Sequence, residues 1–171
     1  MSQVSQCYAI RTKPNREFVV SNSLRGKGYE VFLPLRRKCN LTSRPRSSLE
    51  APLFPSYLFC RFDVTNRLPI LTVPGVFHIV ASGKTPLPVD EEEIQALKAI
   101  VNNQLPLEDH SYLAVGQEVV VHDGPLSGTR GKIANINGVD RFAVSITILQ
   151  RTISVEMDPA WLAHAELGKY V

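Results

Sequence analysis

The sequence predicts an α+β fold in two parts: a mixed domain over residues 1–103, with an antiparallel sheet flanked by helices, and a small β-barrel over residues 113–171. Three observations predict it. Strand-like and helix-like segments alternate through the first hundred residues, and only strand-like segments follow. Between them, residues 102–112 (NNQLPLEDHSY) lose all periodicity, and 104–112 reads as a linker. The charge also divides. Residues 1–103 hold 14 Lys/Arg against 8 Asp/Glu, a net of +6, and residues 104–171 hold 5 against 8, a net of −3, which together make the +3 of the chain.

The elements follow in order. Residues 7–12 (CYAIRT) alternate as a strand. Pro14 stands where a helix can begin, since its missing N–H is no loss there. Phe18, Val19 and Leu24 recur at helical spacing until Gly26 and Gly28 end the run. Residues 29–35 (YEVFLPL) form a second strand. Residues 36–50 (RRKCNLTSRPRSSLE) are basic and rich in Ser and Pro, so they form a projecting loop or hairpin tip. Residues 57–62 (YLFCRF) are a third strand, 67–71 a short helix, and 76–81 (VFHIVA) a fourth strand. Asp90 is an N-cap, and Glu91, Glu92 and Glu93 fill a first helical turn where the helix dipole favours acids. Ile94, Leu97, Ala99 and Val101 supply that helix with an apolar face.

From Leu113 onward, strands at 118–121, 132–136, 142–148 and 152–156 are separated by turns at Gly124, Gly138 and Gln150, the even spacing of a small barrel. A closing segment, PAWLAHAEL, brings Trp161 to cap it. Val, Ile and Thr are dense over 117–156, which favours strand and predicts a stable barrel without a helical alternative.

Composition narrows the function. No 18-residue apolar run is present, and the N-terminus lacks the basic-then-apolar pattern of a signal peptide, so a cytoplasmic, membrane-free protein is expected. Cys7, Cys39 and Cys60 show no CxxC spacing, so neither a zinc site nor a disulfide framework is expected. The four histidines, at 78, 110, 122 and 164, stand apart without a paired nucleophile, and there is no phosphate-cradling glycine loop. Consecutive acids at 90–93 point to different faces of a helix and do not form a metal cluster. The expectation is a binding protein, not an enzyme, with no cofactor and no metal, acting as a monomer. Ten Lys/Arg against two Glu over residues 11–46 favour nucleic acid as one partner. The competing expectation is an RNA- or ribosome-binding module, but such a module calls for a basic barrel and the back half is acidic.

Residues 116–131 read GQEVVVHDGPLSGTRG. A strand runs into an Asp-Gly-Pro turn, and Gly128 and Gly131 bracket Arg130. The stretch resembles the KOW motif of small SH3-like barrels. Ahead of it stand YAIRTKPNRE in the first strand and helix, PLFPSYLFCRFD in the third strand and VPGVFHIV in the fourth. These motifs, in this order and over essentially the whole chain, resemble the NusG/RfaH group of transcription elongation factors: an N-terminal NGN domain followed by a KOW domain. The chain looks more like the specialised antiterminator paralogues than the housekeeping factor.

The resemblance implies an RNA polymerase-binding surface that meets the clamp helices at Tyr57 and Phe59, with Phe54 and Pro55 in the same motif. On strand alternation, Leu58, Cys60 and Phe62 serve as core, leaving Tyr57 and Phe59 as exposed anchors of the kind that concentrate binding energy. Lys13 matches a position that touches the non-template DNA strand, and Arg11, Arg16 and Lys27 widen the patch. Residues 66–72 precede the PGV turn and lack the histidine-threonine run that reaches the polymerase gate loop in RfaH. The KOW loop, Gly124, Pro125, Leu126 and Gly128, would take a second partner, ribosomal protein S-ten or the termination factor Rho. Leu126 stands where housekeeping members carry Phe, and LQRTISVEMD departs from the usual FGR-TPVEL, which favours a specialised role. The implied activity is suppression of pausing and read-through of terminators.

Overall fold

The computed structural model describes residues 4–38, 49–111 and 116–164, and the chain divides into two compact units, Met1–Val89 and Asp90–Val171. In the first, β1 (Gln6–Thr12), α1 (Glu17–Gly26), β2 (Glu30–Phe32), β3 (Leu35–Lys38), β4 (Leu49–Pro52), β5 (Tyr57–Phe62), α2 (Leu68–Leu71), β6 (Val76–Ile79), β7 (Ala81–Ser82) and β8 (Thr85–Pro86) follow one another. An antiparallel sheet runs β2-β5-β1-β6, with Tyr8 opposite Cys60 and Ile10 opposite Leu58. One face carries Tyr8, Ile10, Leu58, Cys60, Phe62 and Ile79, and α1 covers it with Val20 and Leu24 in a single apolar cluster. The Tyr8 and Phe62 rings lie 4.8 Å apart within it. Burial pushes the Cys60 thiol up to about 12, the mark of an inert structural cysteine.

The strand expected over 29–35 is broken into β2 and β3 at Pro34, which has no N–H for a ladder and instead accepts from the Leu53 amide at 2.8 Å. The expected projecting segment leaves and returns as the hairpin arms β3 and β4. Its centre, 39–48, with Cys39, lies outside the described residues.

The second unit holds α3 (Glu91–Asn102), β9 (Leu107–Ser111), β10 (Glu118–Val121), β11 (Arg130–Ile136), β12 (Val139–Ile146), β13 (Arg151–Val155) and β14 (Leu162–His164). Its antiparallel sheet runs β14-β10-β11-β12-β13-β9. The turns expected at Gly124, Gly138 and Gln150 are all left-handed, with φ of 78°, 83° and 53°. Gly131 is required for a different reason: a Cβ there would stand 2.5 Å from the Phe142 ring. The Asp90 carboxylate accepts from the Glu92 amide at 2.8 Å, the expected N-cap.

Two features differ from the sequence reading. Helix α3, grouped with the first domain on sequence, lies in the second unit and packs on β11 and β12. Ile94, Leu97 and Ile100 are its buried stripe, and an apolar stripe states that a face is covered without stating by what. The segment read as a linker also contains a strand: β9 pairs with β13 over five residues. Its polar composition hides it, because the pairing comes from the open edge of β13.

Candidate functional site

Three stretches far apart in sequence meet at one end of the first sheet. The register sets Arg11 opposite Tyr57 on one side and opposite His78 on the other. Between β1 and α1 the chain must turn sharply, and it does so against two other turns. The Lys13 amide donates to Gly75 O at 2.8 Å, and the Thr12 amide donates to Ser56 O at 2.8 Å. Gly75, at φ 100°, sits so close that a Cβ would meet Val20 Cγ2 at 2.9 Å and Arg16 Cβ at 3.2 Å. Ser56 is left-handed at φ 66°, and its amide donates to Glu17 Oε1 at 2.7 Å. Glu17 is 5% exposed, so its carboxylate is a buried clamp joining the NRE and PSY stretches.

On the sheet face away from the α1 cluster, Phe59 lies between Phe32, stacked at 6.1 Å, and Phe54, edge-on at 6.2 Å. Toward solvent, Tyr57 is half-buried and Arg11 is exposed. The Arg11 guanidinium lies 5.9 Å from the Tyr57 ring centre and 5.8 Å from that of Phe77, within cation–π range of both. Phe77 is 64% exposed, and its ring meets that of His78 edge-on at 5.1 Å. Lys13 and Arg16 are exposed beside this cluster. The result is one exposed cation flanked by two aromatic rings, next along β5 to a buried aromatic stack.

Several expected site residues are corrected in place. Phe59 is fully buried and Phe54 is 2% exposed, so they are not displayed as a pair with Tyr57. The expectation failed because β5 is central in its sheet and buried on both faces at its middle, where simple alternation of core and solvent does not hold. Pro55 is exposed at the turn. Lys27 does not join Arg11, Lys13 and Arg16. It follows the far end of the ten-residue α1, about 15 Å along at 1.5 Å per residue, where its Nζ donates to Pro69 O at 2.9 Å. Phe77 was missed as a site residue. Its signal lay in VPGVFHIV, an aromatic side chain on the edge strand just after a glycine turn.

In the second unit, Gly124 lies against the Trp161 indole, where a Cβ would stand 2.7 Å from Cε3. The His122 amide donates to Trp161 O at 2.8 Å. Pro125 and Gly128 are exposed, but Leu126 is 1% exposed. Its side chain belongs to the interior and is not displayed on the loop, because the tight turn at Gly124–Gly128 folds it inward. Among the described residues, no helix is long and apolar enough to cross a membrane.

A family model described as "NusG: Transcription termination factor nusG" matches residues 5–98. The transcription termination/antitermination protein NusG of Rickettsia felis is 25% identical over 133 residues, covering 75% of this chain and 69% of that protein. The protein of the same name from Lactococcus lactis subsp. lactis is 29% identical over 115 residues, covering 64% and 61%. A solved structure titled "Domain interaction in Thermotoga maritima NusG" shares the fold at a TM-score of 0.53 and 19% identity, covering 94% of this chain and 97% of that one.

Proposed function

We propose, from the premise that this chain belongs to the NusG family, that it is a transcription elongation and antitermination factor that binds the RNA polymerase clamp, suppresses pausing and carries the enzyme through terminators. The observation that supports this reading is the Arg11–Tyr57–Phe77 cluster, placed two residues along β5 from the buried Phe32–Phe59–Phe54 stack. A rigid aromatic floor holds Tyr57 and Pro55 in place at low entropic cost, as an anchor for helix tips requires. Phe54 and Phe59 act as the floor and Tyr57 as the contact.

The exposed Phe77 supplies what the basic patch needs for single-stranded DNA. Lys13, Arg16 and Arg11 attract phosphates, and a flat ring beside them stacks a base. Bound across the cleft, the factor favours the closed clamp by differential affinity for that state. The second unit acts as a KOW domain that recruits ribosomal protein S-ten or Rho through the exposed Pro125 and Gly128.

The test is transcript elongation by the cognate RNA polymerase over a terminator. Wild-type protein is expected to raise read-through. Tyr57→Ala is expected to abolish the effect, and Phe77→Ala to weaken it on templates that expose the non-template strand. Val139→Ala, an exposed position in the second unit, serves as control. Equal read-through with wild type and Tyr57→Ala would overturn the clamp assignment.

A further inference from the structure

We propose that the outer flank of β13 is a docking edge for an extended acidic segment of a partner protein, kept closed in this chain by β9. The inference rests on the second unit alone and is independent of the clamp assignment.

Strand β13 reads RTISV, with Thr152 to Val155 all buried. Such a β-branched strand, open on one side, is a template for another chain, and proteins cover such edges. Here the cover is LEDHS, rich in residues that strands disfavour. Leu107 stands opposite Val155 and Asp109 opposite Ile153. Two arginines hold it. Arg151 Nε donates to Asp109 Oδ1 at 3.1 Å, with a second contact from its Nη2 to Asp109 Oδ2. Arg141 Nη1 meets Glu108 Oε1 at 2.9 Å, and its Nη2 lies 3.9 Å from Glu156 Oε2 just beyond β13. Glu108 and Asp109 are adjacent, so they leave the strand on opposite faces, and each face of the edge presents one arginine.

This defines a recognition rule: an extended segment antiparallel to β13, apolar then acidic then acidic. The main chain supplies the ladder and the two carboxylates supply specificity, as in strand addition. The cis occupant does not exhaust the site. Arg141 is 18% exposed at its side chain, and its Nε is buried without a hydrogen-bond partner, so a donor remains for a better-fitting acid. Losing β9 would bare the main-chain groups of β13 and take Asp109 from Arg151, so the edge exchanges one acidic strand for another and is not left empty.

The experiment uses the full chain and a fluorescein-labelled peptide of sequence LPLEDHS. In Glu108→Lys/Asp109→Lys, exchange of those β13 amides that point toward β9, read by NMR, is expected to rise at least tenfold over wild type, while those bonded to β12 change little. Saturating peptide is expected to restore protection. The peptide should bind this variant at least tenfold more tightly than wild type, and LPLKKHS should not bind. Adding Arg151→Glu should abolish capture. If the lysine variant loses its fold, judged by Trp161 fluorescence, Glu108→Gln/Asp109→Asn gives the same test with a smaller opening. Unchanged exchange in the opened variants, or an opened edge that does not take the peptide, would overturn the proposal. So would strand exchange between copies, seen as a dimer by size exclusion.

Discussion

Replacing Glu17 by alanine is expected to destabilise the first unit by about 1–2 kcal/mol. Two effects oppose each other. The Ser56 amide, which donates to Glu17 Oε1 at 2.7 Å, loses its acceptor in a part-buried setting, about 1–3 kcal/mol. Ser56 also holds φ at 66°, a left-handed conformation whose strain of about 1–2 kcal/mol the wild type bears and which relaxes in part when the clamp is gone, so the net loss lies at the lower end of that range. In full-chain urea unfolding, a slope of about 1.5 kcal/mol per molar would turn this into a midpoint lowered by roughly 1 M. The only tryptophan, Trp161, lies in the second unit, so the first unit is followed by amide exchange of β1 and β5. Glu17→Gln keeps the acceptor oxygen and is expected to cost about half as much, since a neutral acceptor makes a weaker bond than a carboxylate. Read-through should fall in the same order, because Tyr57 follows Ser56 directly. If alanine and glutamine cost the same, or if alanine falls within about 0.5 kcal/mol of wild type, the ordinary surface-substitution range, the clamp is not the carboxylate and the reasoning is refuted.

Three further outcomes are expected. Phe59→Ala, at a fully buried aromatic site, should cost about 3–5 kcal/mol of stability, whereas Tyr57→Ala should lose polymerase binding with little stability lost; thermal melts beside binding assays separate them. Gly131→Ala must push the Phe142 ring from 2.5 Å and the Ala143 carbonyl from 2.8 Å, so it should destabilise the second unit by about 1–3 kcal/mol in Trp161-monitored unfolding. Burial raises the Glu93 carboxyl above its ordinary value, an effect that outweighs the bonds it accepts from Thr147. A raised folded-state value means that its contribution is full below the unfolded value near 4.5 and is lost as pH rises through the folded one. Stability of the second unit should therefore fall over that window, and Glu93→Gln should flatten the fall; a wild-type and variant pair with parallel pH profiles would contradict it.

What the sequence determined by itself is local. Asp90 caps α3 because its side chain reaches the amide two residues on. Gly124, Gly138 and Gln150 turn the chain because left-handed backbone is needed between paired strands. Runs of β-branched and aromatic residues bounded by turn signals marked β1, β5, β10 and β13, because such side chains suit a pleated sheet surface. The motifs also carried family membership, since each keeps its residues in order. Only the tertiary structure decided which neighbours cover each face. Phe59 is buried because Phe32, distant in sequence, and Phe54, from the turn before β5, close over it, and Leu126 turns inward because the Gly124 loop packs on Trp161. Phe77 becomes a site residue because its edge strand brings it to Arg11. β9 exists because β13 offers an edge, not because LEDHS prefers to be a strand. Periodicity records that a residue is covered. The identity of the cover depends on contacts between distant segments, which no local pattern encodes.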